Sequence, residues 1–314
     1  MANSSFYQRM VSISPHVEML ARYLYYSIPS SWVQKKLLKK KIKKSPKKSN
    51  FNEILSFLKK KIKPDDILIV HSSFSELKKF NISPSKMVDQ LLDLLAPNGT
   101  LAMPAIPIYP NKFNAGPINF DRSAIKYTYK VQSTRIWTGV LPKEMIKRSN
   151  SERSKHPLNT MVAIGPKAKA MMSGNESDQY PNGENSSWNF CRKNSALVLS
   201  LGTDLTHSLT MIHVAEDIKG DDWCVDGWYR NRTFQVIDNE NIFDVNVKER
   251  KPNWGKLHFG ERNLAKDLIN SEIINSNVIE GTLVEILRAD ELINFLNERN
   301  SKGYPYFWVK KHLK

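Results

Sequence analysis

A strand, a helix and a second strand follow one another between residues 65 and 104, and this succession narrows the architecture more than any other feature of the chain. Asp65-Asp66 leads into Ile67-Leu68-Ile69-Val70, a short branched apolar run that suits a buried strand. Ser83 and Pro84 open a helix in which Met87, Val88, Leu91, Leu92, Leu94 and Leu95 recur at helical spacing. Pro97-Asn98-Gly99 stops it, and Thr100-Leu101-Ala102-Met103 reads as the second strand. Two apolar strands joined through a helix form a parallel crossover, which places the chain in the α/β class.

A second unit of this kind carries the chemistry. Ala196 to Gly202 reads as a strand, and Thr210-Met211-Ile212-His213-Val214-Ala215-Glu216 as the helix behind it. The loop between them falls at the carboxyl edge of the sheet, where open α/β folds keep their ligands. His213 and Glu216 are three residues apart and share a helix face. An imidazole beside a carboxylate can accept a proton near neutral pH. By spacing alone, a hydrogen-bonded histidine on a capped helix is the favoured reading, and the other segments shift it.

Elsewhere the pattern predicts helices over Phe51–Ile62, Gly139–Lys147, Lys167–Met172 and Asp290–Glu298, and strands over Thr160–Ile164, Thr233–Ile237 and Gly281–Leu287. Residues 173–190 read as a loop. We divide the chain into an N-terminal extension, 1–50, and a catalytic body, 51–314.

Several function classes drop out. No two glycines stand one residue apart and there is no G-K-[ST], so neither a dinucleotide fingerprint nor a P-loop is present. Cys191 and Cys224 are far apart, which argues against a disulfide framework and a cysteine zinc site. His207, His213 and Glu216 have no recognised zinc spacing, so no metal is expected. The sequence shows no signal-peptide pattern and no apolar run long enough to span a bilayer, so a cytoplasmic compartment is expected.

The charge is uneven. The chain carries +16, of which residues 1–50 supply +10: nine lysines between Lys35 and Lys48, with Arg9 and Arg22, against Glu18. Three readings of this arm stand in order: a solvated basic segment, a peripheral contact with an anionic membrane through the aromatic and lysine-rich residues 15–50, and nucleic acid, for which no module is visible.

Four blocks in order resemble the aminoglycoside 3-N-acetyltransferase family. They are His71-Ser72-Ser73-Phe74-Ser75 with Pro97 to Pro104; Gly139 to Met145 with Arg153-Ser154-Lys155-His156-Pro157; Asn185-Ser186-Ser187-Trp188; and Leu201-Gly202 through Thr210 to Glu216. The resemblance implies a three-layer α/β/α body with a mostly parallel central sheet, here behind a basic helical extension. It implies acetyl-CoA as co-substrate and the amine of a sugar or amino-cyclitol as acceptor. It places His71, Ser72, Ser73 and Ser75 along the pantetheine and thioester, and makes His213 the proton acceptor. Glu216 is the nearest partner for His213; Glu249 is the alternative. Backbone N–H groups of the Ser72-Ser73 turn would hold the oxyanion. Arg153 and His156 either meet a CoA phosphate or fix a loop.

The acceptor is read from charge. Glu216, Asp217, Asp221, Asp222 and Asp226 form an acidic cluster opposed by Lys219. Either it attracts a cationic amino-sugar, with Asp217, Asp221 and Asp222 as binding residues, or it is a solvated helix end. The basic arm favours an amino-sugar of surface-polysaccharide synthesis over an antibiotic. A true aminoglycoside-modifying enzyme is the alternative, and a non-catalytic docking protein the second.

Overall fold

The computed structural model describes residues 13–27, 49–109, 125–205, 208–225, 227–251 and 258–307. The lysine run from Lys35 to Lys48, His207 and Asp226 lie outside them.

The crossover seen in the sequence forms the centre of a seven-stranded sheet. Strand β1 (Ile67–Ser72) is followed by α3 (Phe74–Leu77) and α4 (Pro84–Leu95), then β2 (Thr100–Pro104). The α4 start is as predicted: Pro84 sits in its first turn and the Ser83 hydroxyl accepts the Lys86 N–H at 3.2 Å. The remaining strands of this sheet are β4 (Glu152–Arg153), β5 (Met161–Ile164), β6 (Leu197–Leu201), β9 (Asn275–Ile279) and β10 (Thr282–Arg288), in the order β4-β5-β2-β1-β6-β10-β9.

Parallel pairing is confined to the centre. β1 runs parallel to β2 and β6, whereas the β2–β5, β5–β4, β6–β10 and β10–β9 pairs are antiparallel. The sheet is therefore mixed, not mostly parallel. One cause is local: Glu280 and Gly281 both have positive φ, 49° and 66°, the geometry of a tight hairpin that forces β9 and β10 antiparallel.

Side chains of the sheet alternate between two cores. Ile67, Ile69, Ala102, Met161, Ala163 and Val198 face one, built with α6 (Ala168–Met172), α7 (Ser187–Lys193) and α10 (Ala289–Ser301). Leu68, Val70, Leu101, Met103, Val162 and Leu199 face the other, built with α2 (Phe51–Lys59), α4 and α5 (Val140–Ile146). Two cores on opposite faces make the three layers.

Two regions differ from the sequence reading. Residues 173–190 are not all loop: Ser186 accepts the Asn189 N–H at 3.1 Å and starts α7, whose Trp188 is fully buried. A second sheet was also missed. It joins β3 (Tyr127–Lys130), β7 (Tyr229–Asp238) and β8 (Asn241–Arg250), of which the sequence showed part of β7.

The N-terminal helix α1 (Pro15–Ser27) packs on α9 (Glu261–Asn270), with Met19 buried. Its opposite side carries Val17, Leu20 and Leu24, all exposed at helical spacing. Among the described residues no helix is long and apolar enough to cross a membrane.

Candidate active site

The carboxyl ends of β1 and β2 and the loop after β6 meet at a cavity of about 360 Å³. This is the edge where an α/β sheet presents loop residues, and the volume suits part of a small-molecule ligand. Val70, His71 and Ser72 line it from β1, Pro104 from β2, Trp137 to Gly139 and Pro142 from the start of α5, and Thr203, Ser208, Leu209, Thr210, Ile212 and His213 from the last loop. Glu261 completes the wall from α9. The loops after β1 and β6 are held close by Gly202, whose φ is 69°; a Cβ there would lie 2.9 Å from that of Glu76.

His213 closes a 3-10 turn, Thr210–His213, and α8 (Val214–Asp217) continues from it. One turn later Glu216 brings a carboxylate oxygen to 3.1 Å from His213 Nδ1. The other carboxylate oxygen is 3.4 Å from Arg250 Nη1, at the end of β8. Glu216 is therefore the partner of His213. Glu249, the alternative from the sequence, pairs with Arg230 and Arg232 within the second sheet.

Burial governs the protonation of this pair. Desolvation holds His213 well below the ordinary imidazole range, aided by Arg250 and opposed by Asp217 and Glu261. The imidazole is thus neutral, the form able to accept a proton. Desolvation pushes the Glu216 carboxyl up to about 7, against the pull of Arg250.

His71 is the second histidine of the cavity. It stacks on Trp188 with ring centroids 6.3 Å apart, and burial pushes it down to about 4. Its Nε2 is buried and has no hydrogen-bond partner among the described residues. A polar atom left this way in a cavity wall is a place for a ligand's hydrogen bond.

The other expected residues are placed differently. Ser73 and Ser75 sit just beyond the cavity lining and bond each other at 3.0 Å. The Ser73 N–H donates to the Leu201 carbonyl at 3.0 Å, so it does not serve as an oxyanion donor. Arg153 donates to the carbonyls of Val131, Thr134 and Ala105, and His156 Nδ1 meets the backbone of Leu158; both fix loops. Asp217 is buried, accepting from Asn182 and the Tyr229 hydroxyl. Asp221 pairs with Lys248, and Asp222 is exposed. None of these three lines the cavity. Sequence reasoning missed Arg250, Trp137 and Glu261. Arg250 had a signal, the alternating Val245 and Val247 behind the turn at Asn239; Trp137 and Glu261 had none.

Comparison with known proteins places this α/β body. The family model described as aminoglycoside 3-N-acetyltransferase matches residues 69–299. Aminoglycoside acetyltransferase AAC(3)-IVa, as apoenzyme, matches with a TM-score of 0.60 and 19% identity over 83% of this chain and 92% of its own. AAC(3)-Xa matches with a TM-score of 0.66 and 18% identity over 82% and 94%, and AAC-IIIb, solved with CoASH, with 0.64 and 18% over 76% and 91%. No curated protein sequence matches the chain. The chain belongs to the aminoglycoside 3-N-acetyltransferase family, and is by that membership an acyltransferase.

Proposed function

We propose that this protein transfers the acetyl group of acetyl-CoA to an amine of an aminoglycoside. The observation that carries the reading is the meeting of His213, backed by Glu216, with His71 and Ser72 in one cavity. A protonated amine has no lone pair, so the attacking nitrogen must lose its proton. His213 is neutral and takes it. Glu216 orients the ring through Nδ1, which leaves proton transfer to Nε2, and its charge stabilises the imidazolium that forms. His71, through Nε2, and Ser72 meet the acyl donor at the carboxyl end of β1. Acetyl-CoA supplies an already activated thioester, so no side chain needs to be acylated.

The sequence placed an amino-sugar of surface-polysaccharide synthesis ahead of an antibiotic. We reverse that order. The preference for polysaccharide rested on the lysine run, which lies outside the described residues, and the acidic cluster thought to receive the sugar does not line the cavity. Among similar structures, AAC-IIIb holds CoASH, histidine-to-alanine variants of AAC(3)-IVa hold a gentamicin and apramycin, and AAC-VIa holds sisomicin.

The test is thiol release from acetyl-CoA with a panel of aminoglycosides and simple amino-sugars. Turnover with at least one aminoglycoside is expected; turnover with amino-sugars alone restores the polysaccharide reading, and turnover with no amine removes both.

A separate observation supports contact with an anionic membrane through residues 15–50. Val17, Leu20 and Leu24 form an exposed apolar stripe on α1, with Ile13 exposed just ahead of it, and the lysine run follows in sequence. Sedimentation with phosphatidylserine vesicles should carry down the full chain and spare a form lacking residues 1–50. Equal sedimentation of the two refutes the contact.

A further inference from the structure

Helix α1 precedes the family-matched residues, yet it is tied to α9, the helix that completes the cavity wall. The reason lies at the start of α9. Its N-cap is Gly260, which offers no side chain to the first N–H groups of the helix. Glu18, from α1, does so instead. Its carboxylate accepts from the backbone N–H of Arg262 at 3.0 Å and of Asn263 at 3.1 Å, and from Asn263 Nδ2 at 2.9 Å. It is 2% exposed. A buried carboxylate at a helix N-terminus also meets the positive end of the helix dipole.

One turn further along α1, Arg22 reaches Glu18 and Glu261 together, each at 3.0 Å. Glu261 is the first residue of α9, and among the described residues it is the one carboxylate in the lining of the cavity that holds His213. Glu18 and Arg22 are i and i+4 on one face of α1, so docking of that face fixes the capped α9 terminus and the Glu261 side chain at once.

We propose that α1 is a working part of the acceptor site: Arg22, with Glu18, is a positioning residue that holds the Glu261 carboxylate at the cavity wall, where it receives an ammonium of the acceptor other than the amine that reacts at His213. This rests on the reading of a polyamine acceptor in this cavity. The reacting nitrogen must be neutral there, while the other amines of a polyamine stay protonated near neutral pH and need a carboxylate. A carboxylate has two oxygens and about four lone-pair sites, enough to serve Arg22 and an ammonium together. Glu261 thus does what the acidic cluster of Asp217, Asp221 and Asp222 does not.

The test uses the full chain, with gentamicin as polyamine, glucosamine as monoamine, and calorimetric binding beside thiol release. Glu261→Gln keeps the shape and removes the charge. It should raise Kd and KM for gentamicin about tenfold or more, the worth of a charge-assisted hydrogen bond, and move the KM for acetyl-CoA by less than about twofold. Arg22→Ala should shift the gentamicin constants in the same direction by less, and Arg22→Lys should recover part of that loss. A merely structural role of α1 would move both substrates' constants together in Arg22→Ala, and that result overturns the proposal. So does gentamicin binding that is absent in the wild type or unchanged in Glu261→Gln. If gentamicin binds in a Glu261-dependent way and no amine is acetylated, acetyl transfer falls and the role of Glu261 stands.

Discussion

The two histidines of the cavity are buried to a similar degree and placed among different neighbours. His71 lies near the end of a central strand, stacked on Trp188 and with no carboxylate on its ring nitrogens among the described residues. His213 ends a 3-10 turn, with Glu216 on Nδ1 and Arg250 behind Glu216. Desolvation keeps both neutral. Neutrality alone yields a hydrogen-bonding group. A base needs in addition a partner that fixes the tautomer and stabilises the charge once the proton arrives. His213 has that partner and His71 does not, which assigns the proton to His213 and leaves His71 to the acyl donor.

The sharpest way to break this assignment is to remove each ring. His213→Ala should lower turnover about 10²–10⁴-fold, the usual range for a general base, with acetyl-CoA binding retained. Thiol release and calorimetry read the two quantities separately. A loss below about tenfold would take the proton away from His213.

Removing the partner should cost less and leave a signature in pH. An ionised Glu216 accepts Nδ1–H and leaves the lone pair on Nε2; a protonated Glu216 donates to Nδ1 and keeps the hydrogen on Nε2. Turnover should therefore rise with pH through about 7, where burial places the Glu216 carboxyl. Glu216→Gln, which keeps the shape, should lower turnover about 10–100-fold and abolish that limb. A limb that survives the substitution belongs to another group.

The contrast also shows which parts of the molecule are legible in sequence. Ile67 to Val70 and Leu197 to Leu201 announce themselves because a strand buried on both faces is a continuous apolar run, and the residues just beyond such a run fall at the ligand edge. His71, Ser72 and His213 are found that way. The small sheet is half polar: β8 buries Val245 and Val247 and exposes Asn241, Ile242 and Asp244, so its signal is weak, and with it Arg250 goes unseen. The acidic cluster misled for the opposite reason. Charge density in sequence does not say which carboxylates are already engaged, and Asp217 is fully taken by Asn182 and Tyr229. Glu261 had no local cue at all, since a residue on α1, 239 positions away, holds it.

The smallest effect tests the passive histidine. His71→Gln keeps a hydrogen-bonding end near Nε2, so turnover should fall less than in His213→Ala, and chiefly through the KM for acetyl-CoA. Stability carries the cleaner readout. In the unfolded chain a histidine binds its proton near pH 6.5, whereas burial delays protonation of His71 in the folded chain to about 4. Between those values the unfolded state holds more protons, so folding weakens as pH falls, by on the order of 3 kcal/mol once both limits are passed. His156, pushed down to about 4 in the same way, adds a like amount. His213, lowered by the same burial, acts in the same direction, and Glu216, raised to about 7, in the opposite one. The readout is therefore the change on substitution: the stability read from urea unfolding should fall about 3 kcal/mol less in His71→Gln than in the wild type between pH 6.5 and pH 4. A slope that the substitution leaves unchanged would mean that His71 is protonated in the folded protein, and would return it to the list of groups able to carry the reaction's proton.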